Sequence, residues 1–300
     1  MTAAVIEVRN LTKSYGGVEA VKGIDLEVRR GEVFALLGPN GAGKTTTVEI
    51  LEGHRRRSGG DVSVLGFDPG RGDSRLKERI GIVLQETGVE PYLTVAEVID
   101  LFRGYYPNPR PVDEIVDLVG LTDKRDVRVS KLSGGQKRRL DVAIGLAGNP
   151  DLLFLDEPTT GFDPSARRGA WTIVRDLARE GKTVFLTTHY MDEAQFLADR
   201  VAIIVGGVVI AEGPPGALAA DHLGATTISF GLPEGAALPA DLAAGAVTSG
   251  TLIELQTRDP LRTLNALTGW ALAGDVELQG LSVGRPSLED VYLDLTAALS

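Results

Sequence analysis

Val33-Phe34-Ala35-Leu36-Leu37-Gly38-Pro39-Asn40-Gly41-Ala42-Gly43-Lys44-Thr45-Thr46 is the run on which the fold turns. Five apolar residues in succession read as a buried strand, and the glycine-proline-asparagine break ends it at once. From Gly38 to Thr45 every fixed position of the phosphate-binding loop pattern is filled. A plain glycine-rich turn does not account for a lysine and a hydroxyl directly after the last glycine. Successive backbone N–H groups and the start of a following helix favour an anion at such a place. In that geometry Gly38, Pro39, Asn40, Gly41, Ala42, Gly43 and Thr46 surround the phosphates of a nucleotide. Lys44 reaches the terminal phosphates, and Thr45 holds Mg²⁺.

Outward from this loop the chain alternates buried runs with helix-like segments. Leu152 to Leu155, Thr183 to Thr187 and Val201 to Val205 are apolar runs of strand length, and Ala166 to Glu180 has helical periodicity. That rhythm predicts an α/β fold with a mainly parallel sheet. Ile6 to Leu11 and Ile24 to Val28 alternate as short strands. Between about residues 87 and 148 the pattern turns helical, with Val95 to Phe102 and Asp113 to Val119 the clearest segments, and the stretch reads as a helical insertion. Gly213-Pro214-Pro215-Gly216 is a strong breaker. Beyond it the composition shifts: from Asp221 onward there are three arginines and no lysine against ten acids. Residues 1–220 are therefore expected to form the main domain and residues 221–300 a small acidic α+β accessory domain. Its strands are expected at Thr226 to Phe230, Thr251 to Gln256 and Val276 to Val283, with helices at Pro260 to Trp270 and from Ser287.

The second chemical element is Leu152-Leu153-Phe154-Leu155-Asp156-Glu157, a buried strand that ends in two adjacent carboxylates. Parallel sheets place ligands at the carboxyl ends of their strands. Neighbouring strand residues point to opposite sides, so the two acids can do different work. Asp156 is expected to hold the Mg²⁺ shell and Glu157 to act on the attacking water as a general base.

Composition bounds the rest. The 300 residues carry 31 lysines and arginines against 41 acids, a formal net charge of −10, which argues against nucleic acid as a partner. The longest nearly uncharged apolar stretch, Val201 to Ala211, is well short of the roughly 20 residues of a membrane span. The first residues lack the pattern of a secretory signal. There is no cysteine, which fits a cytosolic protein. His54, His189 and His222 lie far apart, so a zinc site is not expected.

Leu132-Ser133-Gly134-Gly135-Gln136 narrows the choice among nucleoside triphosphatases. Alone it could be a turn and a helix cap. About twenty residues before the carboxylate pair, it resembles the signature motif of the ATP-binding cassette (ABC) family, and further positions match in order over about residues 4 to 220. The resemblance implies a P-loop ATPase core of the ABC type with an N-terminal antiparallel β subdomain and the helical insertion. It implies ATP and Mg²⁺ as cofactors and a homodimer that holds ATP between the phosphate loop of one copy and Ser133, Gly134, Gly135 and Gln136 of the other. The signature's backbone N–H groups and helix start would supply positive potential there. By the same resemblance Tyr15 stacks on adenine, Gln85 contacts Mg²⁺ and water, Asp163 lies at the dimer interface and His189 touches the γ-phosphate. Phe162 stands where leucine is commoner, and Arg57 where proline often stands.

The run from Pro286 to Thr296 is similar to the ending of cassettes in the drug-exporter branch, such as daunorubicin-resistance ATPases. As a local structure it reads as a helix capped by Ser287 with Asp290 three residues on. The implied function is the ATPase subunit of an exporter of a drug, antibiotic or other hydrophobic compound, acting through a separately encoded integral membrane permease and sitting at the cytoplasmic face of the membrane. Lipid or polysaccharide export, or import, would use the same engine. A ribosome- or DNA-acting cassette and a binding module without hydrolysis are the readings from other classes.

Overall fold

The computed structural model describes residues 4–83, 88–218, 226–233, 236–243, 246–284 and 287–297. Its contacts divide the chain into two compact units, Met1–Pro214 and Pro215–Ser300, with the division inside the glycine-proline breaker.

The first unit begins with a long hairpin, β1 (Ala4–Tyr15) and β2 (Val18–Arg29). These strands outrun the short segments read from alternation because a two-residue turn closes them. Tyr15 pairs with Val18, and Gly16 and Gly17 take φ values of 53° and 92°. Positive φ at both turn positions suits the right-handed strand twist, and glycine adopts it without strain. β4 (Gly59–Val64) joins the other edge of β1, giving the antiparallel order β2-β1-β4.

The main sheet is built from β3 (Val33–Leu37), β5 (Ile80–Val83), β6 (Leu152–Asp156), β7 (Thr183–Thr188), β8 (Arg200–Val205) and β9 (Val208–Gly213), in the order β5-β6-β7-β3-β8-β9. All neighbours are parallel except the last pair. The apolar stretch Val201 to Ala211 is thus two antiparallel strands, folded back at Gly206-Gly207. Side chains of β3, β6 and β7 are almost wholly buried; Phe34 stacks on Phe185 with ring centroids 5.6 Å apart, and Phe154 packs tilted against Phe185 at 5.7 Å. Each such ring contributes about 1.5–3 kcal/mol by leaving water.

Helices follow the strands: α1 (Lys44–Leu51), α2 (Ser74–Lys77), α3 (Val95–Arg103), α4 (Val112–Leu118), α5 (Gly134–Leu146), α6 (Pro164–Arg179) and α7 (Met191–Leu197). The stretch 88–148 carries α3, α4 and α5 and no strand among its described residues. Thr94 and Glu97 cap α3 reciprocally. β5 and α5 approach so closely that a Cβ on Gly81 would stand 2.1 Å from the Gly145 carbonyl oxygen. This contact holds the signature helix against the edge of the sheet.

The second unit is an antiparallel sheet of β10 (Thr226–Gly231), β11 (Ala246–Ser249), β12 (Leu252–Thr257) and β13 (Gln279–Gly284), ordered β11-β12-β10-β13. Its core is Ile228, Phe230, Ile253 and Leu255 with Leu267 from the helix α9 (Pro260–Ala273), which follows the short α8 (Ala240–Ala243). Asp259 caps α9. Ser287 and Asp290 cap α10 (Leu288–Ala297) reciprocally, the Asp290 N–H donating to Ser287 Oγ at 3.2 Å and the Ser287 N–H to Asp290 Oδ2 at 2.7 Å.

The glycine contact yields a stability prediction. Gly81→Ala forces strand and helix apart and is expected to cost about 1–3 kcal/mol, read as a lower urea midpoint at unchanged slope. An unchanged midpoint would show that the packing gives way freely.

Candidate active site

Three adjacent parallel strands deliver the site. Leu37 pairs with Thr188 and Asp156 with Thr187, so β3, β7 and β6 end level with one another. The loop after β3 starts at Gly38, where a Cβ would meet the Ile204 carbonyl oxygen at 2.2 Å. It ends at Gly43, which has φ 104° and where a Cβ would stand 2.6 Å from the Ala20 carbonyl oxygen. Neither position admits another residue without moving backbone. α1 begins directly after Gly43 with no side-chain cap, so its first N–H groups are left for an anion. Asn40, Gly41, Gly43, Lys44, Thr45 and Thr46 line a cleft of about 380 Å³ together with Ala20 and Glu157.

Lys44 is 5% exposed. Its ammonium donates to the carbonyls of Gly38 and Pro39 at 2.8 and 3.2 Å and lies 3.5 Å from Glu157 Oε1. Asp156 Oδ1 accepts from the Thr187 hydroxyl. The Glu157 N–H donates to the carbonyl and hydroxyl oxygens of Thr187, while the residue itself takes φ 45°. This left-handed backbone turns the second carboxylate off the strand and toward the phosphate loop.

His189, the residue after β7, brings Nδ1 to 3.1 Å from Glu157 Oε1. The approach has the distance of an ion pair without hydrogen-bond alignment, so Nδ1 is a buried polar atom lacking a conventional partner. Burial pushes the Glu157 carboxyl up, but His189 and Lys44 beside it outweigh burial, and Thr160 adds a hydrogen bond at 3.1 Å; the group is held below the ordinary carboxylate range. A carboxylate ionised at neutral pH, an ammonium and an imidazole nitrogen thus meet at one point, a donor set that fits a polyphosphate and an attacking water.

The other predicted residues lie around this point. Ser133 caps α5 in a reciprocal box, its oxygen accepting the Gln136 N–H at 3.3 Å and its N–H donating to Gln136 Oε1 at 2.9 Å. Gly135 lies in the same first turn, and Gly134 lines a second hollow of about 720 Å³ with Lys137, Thr160, Phe162 and Glu157. No signature residue lines the Lys44 cleft. Asp163 caps α6, accepting the Ala166 N–H at 3.0 Å. Tyr15 is exposed at the end of β1, with the Lys13 ammonium 4.8 Å and the Arg55 guanidinium carbon 5.3 Å from its ring centre. Gln85 and His222 lie outside the described residues.

Two of the buried acids that no motif marked, Glu193 and Glu52, lie in or at the end of helices next to the site. Glu193, at the start of α7, is fully buried; its Oε1 accepts from Thr159 at 2.8 Å and Trp171 Nε1 at 3.0 Å, and burial raises its carboxyl. It ties the helix after His189 to the loop after Glu157. Glu52 is buried at the end of α1, with Nδ1 of the exposed His54 3.2 Å from its carboxylate. Only the three-dimensional packing identifies these two, because an isolated acid in an amphipathic stretch carries no sequence signal.

The family profile of ABC transporters matches residues 21–160, and that of the C-terminal domain of ABC transporter domain-containing-like proteins matches 226–287. A Nod factor export ATP-binding protein I of Burkholderia orbicola is 40% identical over 99% of this chain and 98% of its own. The daunorubicin/doxorubicin resistance ATP-binding protein of Streptomyces peucetius is 40% identical over 97% of this chain and 92% of its own. A solved dimeric ATP-binding cassette in a post-hydrolysis state with ADP and phosphate superposes with a TM-score of 0.62 at 26% identity, covering 70% of this chain and 98% of that one. The chain belongs to the ABC transporter family, as an ATP-binding subunit with ATPase activity.

Glu52 supplies a pH test. Burial, with Asp156 and Glu49 nearby, pushes its carboxyl up to about 8. The folded state therefore favours the protonated form. That contribution is complete below the ordinary value of 4.5 and is lost as pH rises through about 8. In nucleotide- and metal-free buffer, Glu52→Gln should melt above the parent at pH 8, with the gap narrowing toward pH 4.5. A gap independent of pH would refute the raised carboxyl.

Proposed function

We propose that this chain is the motor subunit of an exporter, driving a drug, antibiotic or other hydrophobic compound through a separately encoded membrane permease. The observation that carries the reading is the meeting of Lys44, His189 and Glu157 at the level ends of β3, β7 and β6. The two export and resistance relatives, matched along nearly their full length, support the exporter branch. Among the described residues no helix is long and apolar enough to cross a membrane.

Mg²⁺, when bound, would supply neutralisation of phosphate charge. Among the described residues no group of three or more His, Cys, Asp and Glu could hold an ion alone. The hydroxyl of Thr45 and the carboxylate of Asp156 are oxygen donors that would hold Mg²⁺, with Gln85 as the further ligand implied by the family resemblance. Lys44 transfers its donors from the Gly38 and Pro39 carbonyls to phosphate oxygens. Glu157 orients a water and accepts its proton, and His189 stabilises the charge that develops on the phosphoryl group.

Ser133, Gly134, Gly135 and Gln136 serve the nucleotide held by a second copy. Their absence from the Lys44 cleft of their own chain supports that division of labour, as does the dimeric state of the similar cassette. Tyr15 stacks on the base, and Asp163 lies where two copies meet. Closure and reopening of the pair would move residues 88–148 against cytoplasmic loops of the permease, placing the subunit at the cytoplasmic face of the membrane.

Glu157→Gln is expected to bind ATP as tightly as the parent while phosphate release falls by about 10²–10⁴-fold, with a stable dimer appearing on gel filtration in Mg·ATP. Near-parental turnover by this variant would sink the assignment. Affinity capture in mild detergent should recover a multi-spanning membrane protein; ribosomes or DNA-repair factors in its place would overturn the transport reading.

A further inference from the structure

The carbonyls on both sides of Glu157 are held by one guanidinium. Arg138, on the signature helix α5, donates from Nε to the Pro158 carbonyl at 3.1 Å and from Nη2 to the Asp156 carbonyl at 3.3 Å. Its Nη1 stands 3.7 Å from Asp141 Oδ2, and the residue is 8% exposed. Between those carbonyls Glu157 takes φ 45°, a conformation that side-chain-bearing residues adopt only when the surroundings impose it.

We propose that Arg138 is a positioning residue for hydrolysis, whose planar fork fixes the backbone on either side of Glu157 in the setting that brings its carboxylate between Lys44 and His189. The inference rests on the reading of Glu157 as the base. It goes beyond that reading in assigning the source of the base's orientation.

Three features carry it. The Asp156 carbonyl belongs to the peptide unit that enters Glu157, and the Pro158 carbonyl lies one unit beyond the one that leaves it, so the fork pins the chain on either side of Glu157. A guanidinium can reach two acceptors in fixed directions at once, which a flexible ammonium does less well. Burial of the cation is costly, and burial lowers the Arg138 pKa; the cation nevertheless sits here in contact with main-chain oxygens next to the site. Because Arg138 lies on the helix capped by Ser133, it also fastens the segment serving the second copy's nucleotide to the base serving its own.

The test compares full-length Arg138→Gln, Arg138→Lys and Glu157→Gln with the parent, by steady-state phosphate release, binding of a fluorescent ATP analogue and thermal melting. Arg138→Gln should lower kcat about 10- to 100-fold while KM for ATP stays within about twofold and the melting temperature is retained. Arg138→Lys should fall between it and the parent. Parental kcat in Arg138→Gln, with Glu157→Gln stalled, would overturn the clamp and leave the base assignment standing. A parallel loss of kcat, ATP affinity and melting temperature in both arginine variants would reduce Arg138 to a packing group and overturn it as well. Turnover by Glu157→Gln would remove the base assignment and the clamp with it.

Discussion

The structure depends on the level pairing of three parallel strands. Leu37 against Thr188 and Thr187 against Asp156 set the ends of β3, β7 and β6 side by side. A slip of one residue in a parallel ladder moves each side chain along the sheet by about 3.3 Å and reverses its face. Either change would separate Glu157 from Lys44 or His189, which stand 3.5 and 3.1 Å from it. The nearly complete burial of Phe34, Phe154 and Phe185 makes such a slip expensive, so the core enforces the register on which the chemistry relies.

Charge at this point is arranged to favour an incoming polyanion. Lys44 is satisfied by two carbonyls of its own loop, and the carboxylate near it is shared with an imidazole. These neutralising contacts let a buried ammonium and carboxylate coexist. They also leave donors that can turn to phosphate oxygens with little rearrangement, which is electrostatic preorganisation in its simplest form. Glu193 and Arg138 stiffen the surroundings from two sides, one through Thr159 and the other through the main chain of residues 156 and 158.

The signature segment shows why a motif and its local structure have to be read together. Ser133 and Gln136 do form an ordinary capping box, and Asp163 does cap α6. These local duties are compatible with service at a second copy's nucleotide, because a capped helix start still presents backbone N–H groups outward. The second unit is a smaller case of the same economy: the run from Ser287 is both a family ending and a properly capped helix.

Sequence by itself determined the α/β class, the positions of β3, β6, β7 and β8 along the chain, the phosphate loop, the carboxylate pair and the helical insertion. Those features are local: a hydrophobic period, a glycine needed for close backbone approach, a cap three residues from its partner. It did not reveal β4, β9 or β11, because edge strands with mixed burial lack a clean period and are specified by the neighbour they pair with. It also passed over Glu52, Glu193 and Arg138, since a charged residue in a helix looks solvated until the packing around it is known. Only the tertiary structure decided that Glu157 turns back with positive φ toward Lys44 and His189, which stand over a hundred and over thirty residues away along the chain. Distances of a few ångströms between residues so separated are fixed by strand register and core packing, and neither is a property of any single segment.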